Sequence, residues 1–204
     1  MQLTPEKLQQ ALQSPKPPTA DVANETSIEG LTPAGVLVPL IQRQVGQHYG
    51  YHLLLTRRAH HLKHHPGQIS FPGGRHEEYD RDLAFTALRE TYEEVGIKPS
   101  KIQILGQLPK HTTITNYLMT PFVGLVDHDY SLTLDQGEVA EAFEVPLSFI
   151  VNPANHSLQS AMFQGEKRYY YSIRYHDYNI WGATARILVE LSKCLAPYTH
   201  STTA

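Results

Sequence analysis

Glu90, Glu93 and Glu94 put three carboxylates into a single short stretch that ends at Val95-Gly96. Residues of a helix advance by about 100° each, so the three fall within one narrow arc. Ala84, Leu88, Thr91, Tyr92 and Val95 lie on the far side at the spacing of a buried stripe, and Gly96 reads as the helix stop. Like charges at this spacing cost roughly 0.2–0.5 kcal/mol per pair, and only Arg89 offsets them nearby. Such a flank is either a solvated acidic surface or a grip for a hard cation, because magnesium and manganese take carboxylate oxygens. The segment upstream favours the cation. Phe71-Pro72-Gly73-Gly74 gives a rigid turn followed by two residues free to adopt positive φ, so backbone N–H and C=O groups can approach a ligand closely. The acidic stretch Glu77-Glu78-Tyr79-Asp80 then leads into the helix. Glycine loop, helix, clustered acids and terminal glycine form one unit aimed at a metal-bound anion.

The elements that must position this unit can be read from hydrophobic period and turn residues. Thr4 as cap and Pro5 in the first turn start a short helix through about Gln13. Residues 14–33, rich in Pro, Ser and Thr, read as a loop wrapping the surface, so that residues 1–33 form an appendage to a domain spanning 34–204. Residues 36–41 and 51–56 are β-rich and joined by a short Gly-containing connection, which predicts neighbouring strands. Residues 60–74 read as loop, and 82–95 as the acidic helix. Further strands are expected over 102–108, 117–126, 138–145 and 167–175, with Tyr169, Tyr171, Ile173 and Tyr175 on one side of the last. An amphipathic helix is expected over 184–195. Mixed strands and helices predict an α/β (α+β) fold.

Composition bounds the function. A chain of 204 residues holds one domain with a sizeable core. The formal charge of −3 and the absence of a long basic run exclude a nucleic-acid binder. Cys194 is the single cysteine, so no internal disulfide forms; a reducing compartment, hence the cytoplasm, is expected. Cys194 itself reads as an inert buried thiol, and Trp181 as core. Met1–Lys7 lacks the apolar run of a signal peptide, and no stretch reaches the ~20 apolar residues of a membrane span.

The unit around the acids resembles the Nudix box, G-x5-E-x7-R-E-U-x-E-E-x-G-U, where U is aliphatic. Gly74 matches its first glycine, and Arg89, Glu90, Glu93, Glu94, Gly96 and Ile97 match its second half. There are two departures. One additional residue separates Gly74 from Arg89, so the early acid falls on Asp80 counting forward and on Arg81 counting backward. Thr91 fills the first aliphatic position. A second, overlapping stretch is similar to the signature of coenzyme A pyrophosphatases, L-L-T-x-R-[SA]-x3-R-x3-G-x3-F-P-G-G. Leu54-Leu55-Thr56-Arg57-Arg58-Ala59, Gly67 and Phe71-Pro72-Gly73-Gly74 match it, with Lys63 in place of arginine. Lysine keeps the charge and loses the bidentate geometry.

This resemblance implies an α/β/α sandwich of the Nudix type with a mixed sheet, and an enzyme that uses Mg²⁺ or Mn²⁺ to split the diphosphate of coenzyme A or its thioesters. The implied products are 3′,5′-ADP and 4′-phosphopantetheine or its acyl form. It implies Glu90 and Glu94 as metal ligands, Glu93 as a third and the Gly74 carbonyl as a fourth, with Arg89 orienting the glutamates. The general base is expected at Glu138, with Glu141 second and Glu93 as the competitor within the helix. Substrate contacts are expected from Gly73, Arg57, Arg58 and Lys63, the last two meeting the 3′-phosphate and the diphosphate. The histidines at 60, 61, 64 and 65 lack tetrahedral ligand spacing, and phosphate contact or a solvated loop suits them better than zinc. Tyr169–Tyr171 suits a core or interface strand better than adenine stacking. A homodimer follows family habit. Two rivals stand beside this reading: the same chemistry on ADP-ribose or a dinucleotide, and a binding module without turnover, against which all three acids speak.

Overall fold

The computed structural model describes residues 3–13, 30–163 and 165–199. The expected wrapping loop lies, over 14–29, outside the described residues. Helix α1 (Pro5–Gln13) starts where Thr4 accepts the Leu8 N–H at 3.0 Å, and it buries Leu8 and Ala11. Strands β1 (Thr32–Val45) and β2 (His48–Arg58) form an antiparallel hairpin in which Leu40 opposes Leu53 and Val45 opposes His48. Past Leu53 they no longer pair. The gap takes two short strands, β3 (Ile69–Ser70) on β2 and β4 (Gly73–Arg75) on β1, with Gly74 opposite Gly35. Residues 60–74, expected as loop, therefore end as sheet. Pieces of two and three residues carry no alternation to read.

Helix α2 (Leu83–Val95) follows, then β5 (Ile102–Gln107), β6 (His111–Thr112) and β7 (Tyr117–Val126). β7 runs parallel to β1 along its first ten residues and antiparallel to β5, so the sheet is mixed. β8 (Val139–Pro146) pairs with the other edge of β2 and leads into the single turn α3 (Leu147–Ile150). A second, antiparallel sheet consists of β9 (His156–Phe163), β10 (Glu166–Tyr175) and β11 (Tyr178–Trp181), and α4 (Ala183–Thr199) closes the described chain.

Alternation sends successive side chains to opposite faces and builds two cores. On one face Ile41, Leu54 and Val126 meet Val95 and Ile97 at the end of α2. On the other, Val36, Val38, Leu40, Leu53 and Leu55 meet Leu8 of α1, Ile150 of α3 and Ile187, Leu188 and Leu191 of α4. Each such buried Leu or Ile contributes about 1.5–3 kcal/mol. Helices on both faces of a mixed sheet give the expected α/β/α layering.

The expected tyrosine stripe on β10 belongs in part to the core. Ile173 is fully buried, and Tyr171 and Tyr175 pack against the larger cluster, while Tyr169 emerges at the hairpin end. Trp181 corrects the sequence reading: it is 42% exposed. Ile180, opposite Ile173, takes the inward position, so its neighbour must point out. Cys194 is buried on α4. Among the described residues no helix is long and apolar enough to cross a membrane.

Candidate active site

Helix α2 begins where the Asp82 carboxylate accepts the Phe85 N–H at 2.7 Å. It ends at Gly96, whose φ of 78° is left-handed and whose N–H returns to the Tyr92 carbonyl. Its buried residues are Thr86, Ala87, Thr91, Glu94 and Val95, whereas Tyr92 is half exposed. The helix is thus rotated relative to the stripe read from the sequence, and one of the three acids lies on the inward face. Gly35 explains the rotation. A Cβ there would run into the Leu83 carbonyl and stand 3.0 Å from the Ala87 nitrogen, so β1 and the helix backbone touch. Such close approach admits only small side chains beneath the helix, and Thr86, Ala87 and Thr91 supply them.

Arg89 organises the acids. Its guanidinium donates to both oxygens of Asp80 at 2.9 and 3.0 Å, to the Arg75 carbonyl at 3.2 Å and to Glu93 at 2.8 Å, and it pairs with Glu90 at 2.9 Å. Asp80 also accepts the Thr86 hydroxyl and the Glu77 N–H, and His76 Nδ1 lies 2.9 Å from that hydroxyl. The Arg89 bonds hold the fully buried Asp80 carboxyl well below the usual carboxylate range. The ambiguous early position is thereby resolved: Asp80 is the partner, and Arg81 is exposed. Sequence reasoning missed Thr86 and His76; a polar Thr on the inward side of an amphipathic helix was the available signal.

Glu94 is 4% exposed, and its carboxyl accepts the Gly73 N–H. Burial, reinforced by the charges of Glu90 and Glu138, pushes it up to about 8, against the opposing pull of Arg58. Burial also pushes Glu90 up, with Arg89 opposing and Glu93 and Glu138 adding to the rise. The Glu90 carboxylate lies over Gly74, where a Cβ would stand 2.6 Å from Oε1. Glycine is required there by that contact, whereas at Gly73 a φ of 152° also demands it.

Glu138 arrives from a different part of the chain. The loop before β8 is bonded to the end of α2: Thr133 N–H to Val95 O and Asp135 N–H to Glu94 O, both 3.0 Å. Asp135 accepts the Gly137 N–H, and the Glu138 carbonyl receives the Ala59 N–H at 2.8 Å. Beside it the β2–β8 register slips between Arg57, opposite Glu141, and Arg58, opposite Val139. The two arginines therefore part company. Arg58 acts on Glu94. Arg57 pairs with Glu141 at 2.7 Å and lies over the ring of Tyr178, which stacks on Phe143 against the larger core. The structure thus brings Glu90, Glu93, Glu94, Gly73, Gly74, Arg89, Arg58 and Glu138 together, and sets Arg57 and Glu141 on the opposite face. Lys63 and the four histidines lie in the turn 59–68, all but Gly67, Gln68, Leu62 and Ala59 of which are exposed.

Over most of its length the chain is similar to known proteins of one family. The NUDIX domain family matches residues 31–163. An "Uncharacterized Nudix hydrolase NudL" of Enterobacter sp. (strain 638) is 38% identical over 159 residues, which cover 78% of this chain and 80% of that protein. Its namesake from Photorhabdus laumondii subsp. laumondii is 39% identical over 160 residues, 78% and 83% of the two chains. The chain belongs to the Nudix hydrolases. A solved Nudix hydrolase from Alicyclobacillus acidocaldarius aligns over 85% of this chain and 97% of its own, with a TM-score of 0.49 and 18% identity.

As a Nudix hydrolase, the protein acts on the pyrophosphate bond of a diphosphate substrate. Nudix hydrolases generally need divalent metal ions. Among the described residues no three Asp, Glu, His or Cys side chains are gathered at ligand spacing, because Glu90 and Glu93 turn to Arg89 and Glu94 to the Gly73 N–H. The donor set nevertheless fits a hard cation. It is all oxygen, and two of its carboxyls are raised by burial and by neighbouring carboxylates, a cost that a positive ion removes.

Proposed function

We propose that this Nudix hydrolase splits coenzyme A or its thioesters at the diphosphate, releasing 3′,5′-ADP and 4′-phosphopantetheine or its acyl form, with Mg²⁺ or Mn²⁺ bound by Glu90 and Glu94. Glu93 and the Gly74 carbonyl are further donors. The observation that carries the reading is the meeting of Glu90, Glu94, Glu138 and Arg58 in one electrostatic neighbourhood under the Gly73–Gly74 turn. Bound there, a divalent cation supplies Lewis acidity and offsets the diphosphate charge.

The chain's own residues do the rest. Arg89, fixed by Asp80, orients Glu90 and Glu93. Glu138 is the general base: it is exposed, shares the field of Glu90 and Glu94, and its backbone is fixed by bonds to Ala59 and Asp135. Glu93 is the weaker candidate because Arg89 engages it. Arg58 stabilises charge developing on the diphosphate. Lys63, in the adjoining turn, meets the 3′-phosphate. Coenzyme A is favoured over other diphosphates by the stretch from Leu54 to Gly74, where Arg58, Gly67 and Phe71-Pro72-Gly73-Gly74 match the coenzyme A pyrophosphatase signature and Lys63 replaces its second arginine.

The test is incubation of purified protein with coenzyme A and Mn²⁺, with the products resolved by chromatography. Formation of 3′,5′-ADP and a clearly slower reaction of dephospho-coenzyme A are expected. Equal rates on both, or preference for ADP-ribose, would move the assignment to another nucleoside diphosphate derivative.

A further inference from the structure

Trp181 is the only tryptophan of the chain, and nearly half of its surface is open to solvent. Its ring does not wave freely. β11 pairs it with Ser172, the next N–H, that of Gly182, is bound by the Tyr171 carbonyl at 3.1 Å, and the Tyr170 ring meets it edge-on with centroids 5.9 Å apart. An exposed indole, rigidly mounted against the partly buried Tyr170 ring, costs solvation and belongs to neither core cluster, which singles it out as a contact surface.

Its location names the contact. Gly182 sits against Gln68, with the Gln68 side-chain nitrogen 3.9 Å from a Cβ built at Gly182. Thr184 donates to the Ile69 carbonyl at 2.9 Å, and Gln68 accepts the Arg58 N–H at 2.9 Å. Trp181 is therefore joined through Gln68 and Ile69 to both ends of the basic turn that runs from Arg58 past Lys63. The amino end of α4 begins two residues later, at Ala183, where Arg186 N–H closes on the Gly182 carbonyl, and adds partial positive charge. A flat aromatic surface bordered by cations fits a ligand with a planar base at one end and phosphates at the other.

We propose that Trp181, buttressed by Tyr170, is the nucleobase subsite: it stacks the adenine of the substrate while the phosphates run toward Arg58 and the Gly73–Gly74 turn. This rests on the nucleoside diphosphate reading above. It assigns specificity to a part of the chain, β10–β11, that lies beyond the matched family domain.

Because Trp181 is unique, its fluorescence reports this ring alone. Titration with 3′,5′-ADP should quench the emission saturably, whereas 4′-phosphopantetheine and inorganic pyrophosphate should not. Trp181→Ala should raise KM for coenzyme A about tenfold, within the range for loss of one base–aromatic stack, with kcat within about twofold and the thermal melt unchanged. Trp181→Phe should recover most of the affinity. No quenching by 3′,5′-ADP, or a KM untouched in Trp181→Ala, overturns the subsite while leaving hydrolysis standing. Quenching by adenine nucleotides in a protein that fails to cleave coenzyme A supports the subsite and sinks the substrate assignment instead.

Discussion

The two faces of the sheet treat buried charge in opposite ways. On the α4 side cations meet acids: Arg57 pairs with Glu141, and Arg186 and Lys193 share Glu190 at 3.2 and 3.7 Å. His111, pushed down to about 4 by burial and the nearby Arg186, stays neutral there. On the α2 side the acids outnumber their partners, and burial drives Glu94 and Glu90 upward, reinforced by Glu90 and Glu138 at the first and by Glu93 and Glu138 at the second. Neighbouring residues Arg57 and Arg58 sample both regimes. Balanced charge fastens a fold together. Unbalanced charge, held in place by Asp80 and Arg89, is what a cation and a polyphosphate come to complete.

The contrast can be broken most severely at Glu94. Glu94→Gln should lower kcat by about 10³ or more, comparable to loss of an essential acid–base group, with the fold retained by circular dichroism; near-normal turnover would remove Glu94 from the metal set. Asp80→Ala should come next. It leaves the Arg89 guanidinium without its buried partner, a change that costs about 3 kcal/mol, seen as a lower Tm and accompanied by weaker metal binding in calorimetry. Arg58→Ala should follow, reducing kcat/KM by about tenfold to a hundredfold through loss of charge-assisted bonds to phosphate.

A smaller effect is expected in the metal-free protein. A carboxyl raised on folding binds its proton more tightly in the native state, so Glu94 favours the fold up to its unfolded pKa, and this contribution is lost as pH climbs toward about 8. The apo Tm should therefore fall between pH 5 and pH 8, and Glu94→Gln should flatten that decline. Metal affinity should rise over the same interval as the proton leaves. The smallest effect belongs to the balanced side. Arg57→Ala should cost roughly 0.2–1 kcal/mol of stability, as expected for a partly exposed pair, and change kcat/KM far less than Arg58→Ala does. Equal losses from the two arginines would show that the faces do not divide the work.

Much of this contrast is legible in the chain, and the limits are instructive. The acidic cluster, the Gly-Gly turn and Gly96 fix the unit because each is a local signal: charge spacing, turn chemistry, a left-handed stop. The long strands and α4 follow from hydrophobic period alone. The rotation of α2 does not, since it depends on Gly35, some fifty residues upstream, letting β1 press against the helix backbone. Arg57 and Arg58 look equivalent in sequence, although simple alternation along β2 already separates them. β3, β4, β6, β9 and β11 leave no readable pattern. The first three are too short for a period, β9 is exposed along nearly all its length, and β11 acquires its register only from β10. Trp181 was misjudged for that last reason, because a lone tryptophan beside Ile180 carries no mark of which one turns inward.

The amides of Thr133 and Asp135 moor the approach to Glu138 to the final carbonyls of α2, while Glu138 itself takes the Ala59 N–H at the end of β2 and Val139 enters the sheet opposite Arg58. One short loop thus spans helix and strand, so the distance from base to ligand-bearing helix is set at both ends. Exchange of those two amide protons should keep step with exchange in the last turn of α2, so that fraying of the helix loosens the base on one side.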